Sequence, residues 1–197
     1  MSTKEDILEQ LVEEYLLHLG YFVQHNLKFK PNKSHPDFVS NQDSNHSDID
    51  VLGIHPLKTG HDRVVAVSCK SWQGGFNPKS EIDALTSNKV RAGRERWRAF
   101  RELMKPKWSE AFITAVEAAT GTRQFIYMTA VTRIDGDKSL WEQHQPFSDA
   151  IGGNEIRVID MQEIIASVLP KLTTTVANTS IGRMLQLLKA AGIEIKA

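Results

Sequence analysis

Residues 47 to 54 read SDIDVLGI and residues 64 to 72 read VVAVSCKSW. Both are short β-branched runs, and only the loop HPLKTGHD and one arginine separate them, so they predict two strands joined by a tight connection. Burying an ammonium is costly, so the lysine that closes the second run must snorkel, pair with an anion or be poised for chemistry. Strand alternation puts Ser68 and Lys70 on one face, and Cys69 with Val65 and Val67 on the other. The same rule puts Asp48 and Asp50 on one side of the first strand and Ile49 and Val51 on the other.

Working outward, residues 5 to 19 place Leu8, Leu11, Val12, Tyr15, Leu16 and Leu19 on one stripe, with Ser2 or Thr3 as the expected cap and Gly20 as the stop. YFVQHNLKF then alternates as a strand, and PNKSHPDFVSNQDSNHS, rich in turn formers, reads as a long exposed loop. Beyond the lysine strand the spacing is helical from about Ser80 to Met104, with Pro106 setting the end, and again from Trp108 to Ala119. TRQFIYMTAVT and EIRVID read as strands, and MQEIIASVLPKL and the tail SIGRMLQLLKAAG as helices. The expected fold class is α/β, a central mixed sheet flanked by helices.

The chain has 197 residues, 41% of them hydrophobic, with 24 basic and 24 acidic side chains. That is the composition of a folded globular protein with no global charge to draw it to polyanions or membranes. One cysteine excludes a disulfide framework, and MSTKEDILEQ lacks the apolar core of a signal peptide, so a cytoplasmic setting is expected.

If the two opening strands are neighbours, Asp50, Ser68 and Lys70 converge. Two acids on one face repel unless a cation or proton lies between them, and Mg²⁺ is satisfied by one or two carboxylates with water and phosphate oxygens. A metal, a carboxylate and an ammonium around a phosphate suit phosphodiester hydrolysis. Plainer readings stand beside this one: Asp48 caps a turn, Lys70 makes an ordinary ion pair with Asp50, and His46 is a solvated histidine.

Glu9 in the first helix, ahead of Gly20-Tyr21, with SDIDV on one strand and VSCK on the next, resembles the PD-(D/E)XK nuclease superfamily, especially its Mrr-like restriction endonuclease branch. The resemblance covers about residues 5 to 131 and implies a restriction-endonuclease-like αβββαβ core. It makes residues 1–170 a nuclease-like domain and 171–197 a C-terminal helical extension packed on it. Carried over, it implies Asp50 as principal ligand of Mg²⁺ or Mn²⁺, Lys70 as the catalytic lysine and Glu9 as support through water; Glu13 competes for that last role. The departure is Ser68, where the pattern has an acid, or glutamine in the Mrr branch. Three outcomes follow: Glu9, Asp48 and the Cys69 carbonyl complete the site; Glu81 migrates in; or the domain no longer cuts.

The stretch KVRAGRERWRAFRELMKPK carries eight basic residues against two acidic ones. On a helix, Arg91, Arg94, Arg98, Arg101 and Lys105 form one stripe, with Lys89 at its start, and arginine forks suit phosphate. Trp72 and Gln73, followed by two glycines, are candidates to touch a base or sugar. The expected function is a metal-dependent DNA endonuclease of restriction or defence type. The alternative is a nuclease-fold module that binds DNA without cutting, or a subunit of a larger assembly. The tail helix, residues 180 to 191, is available for association, and a homodimer is within that expectation.

Overall fold

In the computed structural model, residues 6–91 and 93–193 are described. The first helix, α1 (Ile7–His18), begins at Asp6, whose side chain accepts from the Leu8 amide. Its stripe of Leu8, Leu11, Val12 and Leu16 is buried as the spacing requires. Ser2 and Thr3, the expected caps, lie outside the described residues. Strand β1 (Phe22–Phe29) follows, then the loop with one helical turn, α2 (Ser40–Asp43). The two opening stretches form β2 (Ser47–Ile54) and β3 (Val64–Lys70).

The continuous helix expected from Ser80 to Met104 is absent. Instead α3 (Pro78–Thr86) ends early, and the chain makes a small hairpin of β4 (Val90–Arg91) and β5 (Arg94–Glu95). A 3₁₀ turn over Arg96–Phe100 leads into the short α4 (Arg101–Met104). The cause is local. The Thr86 and Ser87 hydroxyls bond back to the carbonyls of Ile82 and Asp83, which competes with helix propagation. Asn88 and Gly93 then take left-handed backbone angles, φ 49° and 73°, which no helix accommodates. Buried Trp97 and Phe100 fix the turn that results.

Helix α5 (Pro106–Thr120) stops at left-handed Gly121, and β6 (Ile126–Val131) follows with all six residues buried. Two short helices, α6 (Ser139–Glu142) and α7 (Gln145–Ala150), had no clear periodic signal. Strand β7 (Glu155–Asp160), helix α8 (Met161–Val168) and helix α9 (Ser180–Ala190) follow.

The main sheet has the order β1-β2-β3-β6-β7. The first three strands form an antiparallel meander, while β3-β6 and β6-β7 pair in parallel, so the sheet is mixed. Two hydrophobic clusters flank it. One joins Phe29, Leu52, Ala66 and Tyr127 to Phe100, Trp108, Phe112, Trp141 and Phe147. The other joins Val51, Val65, Val67 and Ile126 to the apolar stripe of α1, to Ile164 and Val168, and to Ile181 and Leu185 of α9. The fold is therefore α/β with helices on both faces, in the αβββαβ order expected from the sequence. Among the described residues no helix is long and apolar enough to cross a membrane.

Candidate functional site

The β2-β3 ladder runs from Ile54↔Val64 to Val51↔Val67 and then stops. Past that point the strands part, and the Cys69 amide, which has lost its ladder partner, donates to Asp50 Oδ2 at 2.5 Å. Asp50 thus bridges the fork one residue before Lys70. On the other side the β1-β2 register passes from His25↔Val51 to Leu27↔Ile49, skipping Asp50 and Asn26, and Asn26 takes φ 54°. The twist there separates two residues that alternation had put together: Ile49 packs with Phe29 and Leu52, and Val51 with the α1 side. The expectation that Ile49 and Val51 share a face is therefore corrected. Asp48 is exposed and lies opposite Lys28 in the ladder.

Ser68 and Lys70 share a face as expected, and the Lys70 ammonium donates to Ser68 Oγ at 2.7 Å. Its Nζ also lies 5.4 Å from the centre of the Phe100 ring. The Cys69 side chain points the other way and packs against the α1-side cluster. Burial pushes its thiol well above the ordinary range, with Asp50 and Glu9 adding to the effect.

Asp6 explains how Glu9 reaches this point. The Asp6 carboxylate caps α1 and accepts from the Ser71 hydroxyl at 2.7 and 2.8 Å, tying the start of the helix to the end of β3. The first-turn residue Glu9 is thereby held near the fork. Burial raises its carboxyl to about 7, with Asp50, Asp6 and Asp48 adding to the rise and Lys70 opposing it. Asp50 is raised to about 6 by burial first, and by Asp48 and Glu102, against Lys70 and the Cys69 amide. Glu13, the competitor for the role of Glu9, instead pairs with His25 at 3.1 Å.

Among the described residues, acids therefore outnumber the Lys70 ammonium at the fork, and that imbalance suits a cation. Among the described residues no group of three His, Cys, Asp or Glu side chains forms a ready-made cage. Asp50 and Glu9 with water and a phosphate oxygen remain a sufficient donor set for Mg²⁺, which keeps most of its waters.

Glu81 does not supply the missing acid. It is buried in an ion pair with Arg96 at 2.5 Å, and the Arg96 guanidinium stacks 3.8 Å from the Trp72 ring. The acid that sequence reasoning missed is Glu102, buried on α4 and acting electrostatically on Asp50. Its oxygen accepts from the Tyr127 hydroxyl at 2.5 Å. The only signal in the sequence was an acid set between Phe100 and the Leu103-Met104 pair, inside a run that reads as basic and exposed.

The basic residues do not form the helical stripe that their spacing suggested, because they are divided among hairpin, 3₁₀ turn and α4. Arg94, Arg96, Arg98 and Arg101 nevertheless line one cavity of about 680 Å³ together with Trp72. Arg94 is exposed, Arg98 is partly neutralised by Glu95 at 3.1 Å, and Arg101 is half-buried over the Trp108 ring at 4.5 Å. Lys105 lies 5.1 Å from the Trp97 ring, away from that lining, and Lys89 and Gln73 are exposed. Arg91 belongs to β4, paired with Arg94, but its side chain is outside the described residues. Trp72 is partly core, packed on Phe76 and Phe100 with Arg96 over its ring, rather than a free stacking platform. Phe100 joins the two regions: it touches Lys70 on one side and Trp72, 5.9 Å away, on the other. No family model, curated protein or solved structure matches this chain.

Proposed function

We propose that the protein is a metal-dependent DNA endonuclease, and that the fork between β2 and β3 is its active site. The observation that carries the reading is the Asp50 carboxylate bridging to the Cys69 amide immediately beside Lys70. Asp50 and Glu9 would hold a divalent cation, with Asp48 supplying further negative charge nearby; bound there, such an ion would supply Lewis-acid activation of the phosphoryl oxygen and of a water. Lys70 holds the attacking water or meets the charge that develops on the phosphoryl oxygens. The arginine-lined cavity beyond Phe100 grips the adjoining backbone, where planar guanidinium forks match phosphate.

Ser68 favours a second reading, in which the domain binds DNA and does not cut. The Lys70 ammonium bonds a neutral hydroxyl where the resembling family carries an acid or an amide. Plasmid nicking in Mg²⁺ or Mn²⁺ by wild type, Lys70→Ala and Ser68→Glu separates the two. The nuclease reading expects cutting by wild type and a loss of about 100-fold or more in Lys70→Ala. DNA binding without cutting by wild type would establish the binding module, and cutting gained only in Ser68→Glu would identify a decayed site.

A further inference from the structure

Behind Lys70 lies a buried run of polar side chains whose donors all point one way. Lys70 donates to Ser68, and Tyr127 donates to Glu102. The sheet sets the two halves side by side. In the parallel β3-β6 ladder Ala66 faces Tyr127 and Ser68 faces Thr129, so Ser68 and Tyr127 are diagonal neighbours on one face of the sheet. Burial first, then Glu102, raises the Tyr127 phenol well above its usual range, while the neighbouring Ser68 acts the other way. Ser68 is 8% exposed, Tyr127 0% and Glu102 5%, so water does not compete along the run. A second set of contacts fixes its far end: the Ser109 hydroxyl donates to the Glu102 carbonyl at 2.7 Å and so clamps α4 to α5.

We propose that Glu102, acting through Tyr127 and Ser68, is a positioning residue for Lys70. Ser68 meets the ammonium directly, and the Tyr127 phenol and Glu102 carboxylate lie behind it. Buried polar chains of this kind are mutually polarised, so the anionic end is felt at the ammonium. The hydroxyl at 68 is thus the link next to the ammonium. The role assigned to Lys70 in cleavage rests on the nuclease reading; the relay itself does not.

The test is the rate at which Lys70 reacts with an amine-acylating reagent in the full-length protein, without metal or DNA, read by peptide mass spectrometry. The other lysines of the chain serve as internal standards. Tyr127→Phe, Ser68→Ala and Glu102→Gln are each expected to raise Lys70 acylation about fivefold, the factor for one lost hydrogen bond. Ser68→Thr, which keeps the hydroxyl, is expected to react as wild type. Thr129→Val is the control. It sits on β6, and removing its hydroxyl strands the Trp141 indole N–H without touching the relay. Unchanged acylation in Tyr127→Phe or Glu102→Gln overturns the proposal, as does an equal rise in Thr129→Val. If Tyr127→Phe fails to fold, Glu102→Gln reads the same run from its anionic end. Plasmid cutting is measured in parallel, and its absence in wild type counts against the nuclease alone. If wild type cuts, kcat falls in Tyr127→Phe and KM for DNA holds.

Discussion

Asp43 and Lys107, 64 positions apart, meet in a buried ion pair with Nζ 2.6 Å from Oδ2. The Val39 amide at 2.7 Å and the Trp108 indole at 3.1 Å occupy the rest of the carboxylate, and Lys107 also donates to the Asp37 carbonyl at 2.8 Å. One helix residue thus fastens the long loop that leads into β2. Asp43→Asn leaves a buried ammonium without its anion and is expected to destabilise the fold by about 3 kcal/mol, measured by urea unfolding at neutral pH. Burial pushes the Asp43 carboxyl up, but the bonds from Lys107 and Val39 outweigh it and the net direction is down. That stabilisation is present above the ordinary carboxylate range and is lost as pH falls through the folded value. The acid-induced loss of stability should therefore be shallower in Asp43→Asn.

Asp50 behaves in the opposite sense. Its folded value of about 6 lies above the ordinary aspartate range, so the native state binds more protons than the unfolded chain between about pH 4 and 6. Stability should fall as pH rises through that window, and Glu9 extends the fall toward pH 7. Asp50→Asn keeps an acceptor for the Cys69 amide and removes the charge. It is expected to be more stable than wild type at pH 8, by on the order of 2 kcal/mol, and to lose any cleavage. Thermal unfolding from pH 4 to 8 measures the first effect.

Divalent cations should reverse that instability in wild type. Mg²⁺ at pH 8 is expected to raise Tm for wild type, less for Glu9→Gln and not at all for Asp50→Asn, since only a ligand that binds the folded state stabilises it. An equal rise in all three would assign the ion to the outer surface.

Charge reversal tests the arginine cavity. Arg94→Glu should weaken DNA binding and reduce the slope of log affinity against log salt by about one. Arg98→Glu should have a smaller effect, because Glu95 already offsets that charge. Fluorescence anisotropy across a salt series reads both.

Gly182 marks how closely the tail is fitted. A Cβ there would lie 2.5 Å from the Glu14 carboxylate and 2.8 Å from the Ala177 side chain. Glu14 also accepts from the Thr179 hydroxyl at 2.6 Å. Gly182→Ala should cost about 2 kcal/mol and expose the tail to limited proteolysis while β1 to β3 stay protected.

The strands and the order αβββαβ were legible because each core run is bounded by turn formers and Val-rich enough to exclude a helix. Asp50, Ser68 and Lys70 were legible for the same reason, since period-two alternation survives in β3. Alternation failed at Asp50 itself, because the twist opposite Asn26 depends on a neighbouring strand. The basic helix was misread because arginine, glutamate and alanine favour helix, while the breakers Ser87-Asn88 and Gly93 are few. Glu102 and Tyr127 were invisible as partners: nothing in a chain read from end to end brings α4 to β6.

Asn26 has one more consequence. Strand β1 is an outer strand of the sheet, and an edge strand is a template on which another chain can stack. The left-handed turn at Asn26 interrupts that template half-way, and Lys28 adds an exposed charge two residues on. A left-handed residue in mid-strand thus breaks up an edge on which chains could otherwise stack in register.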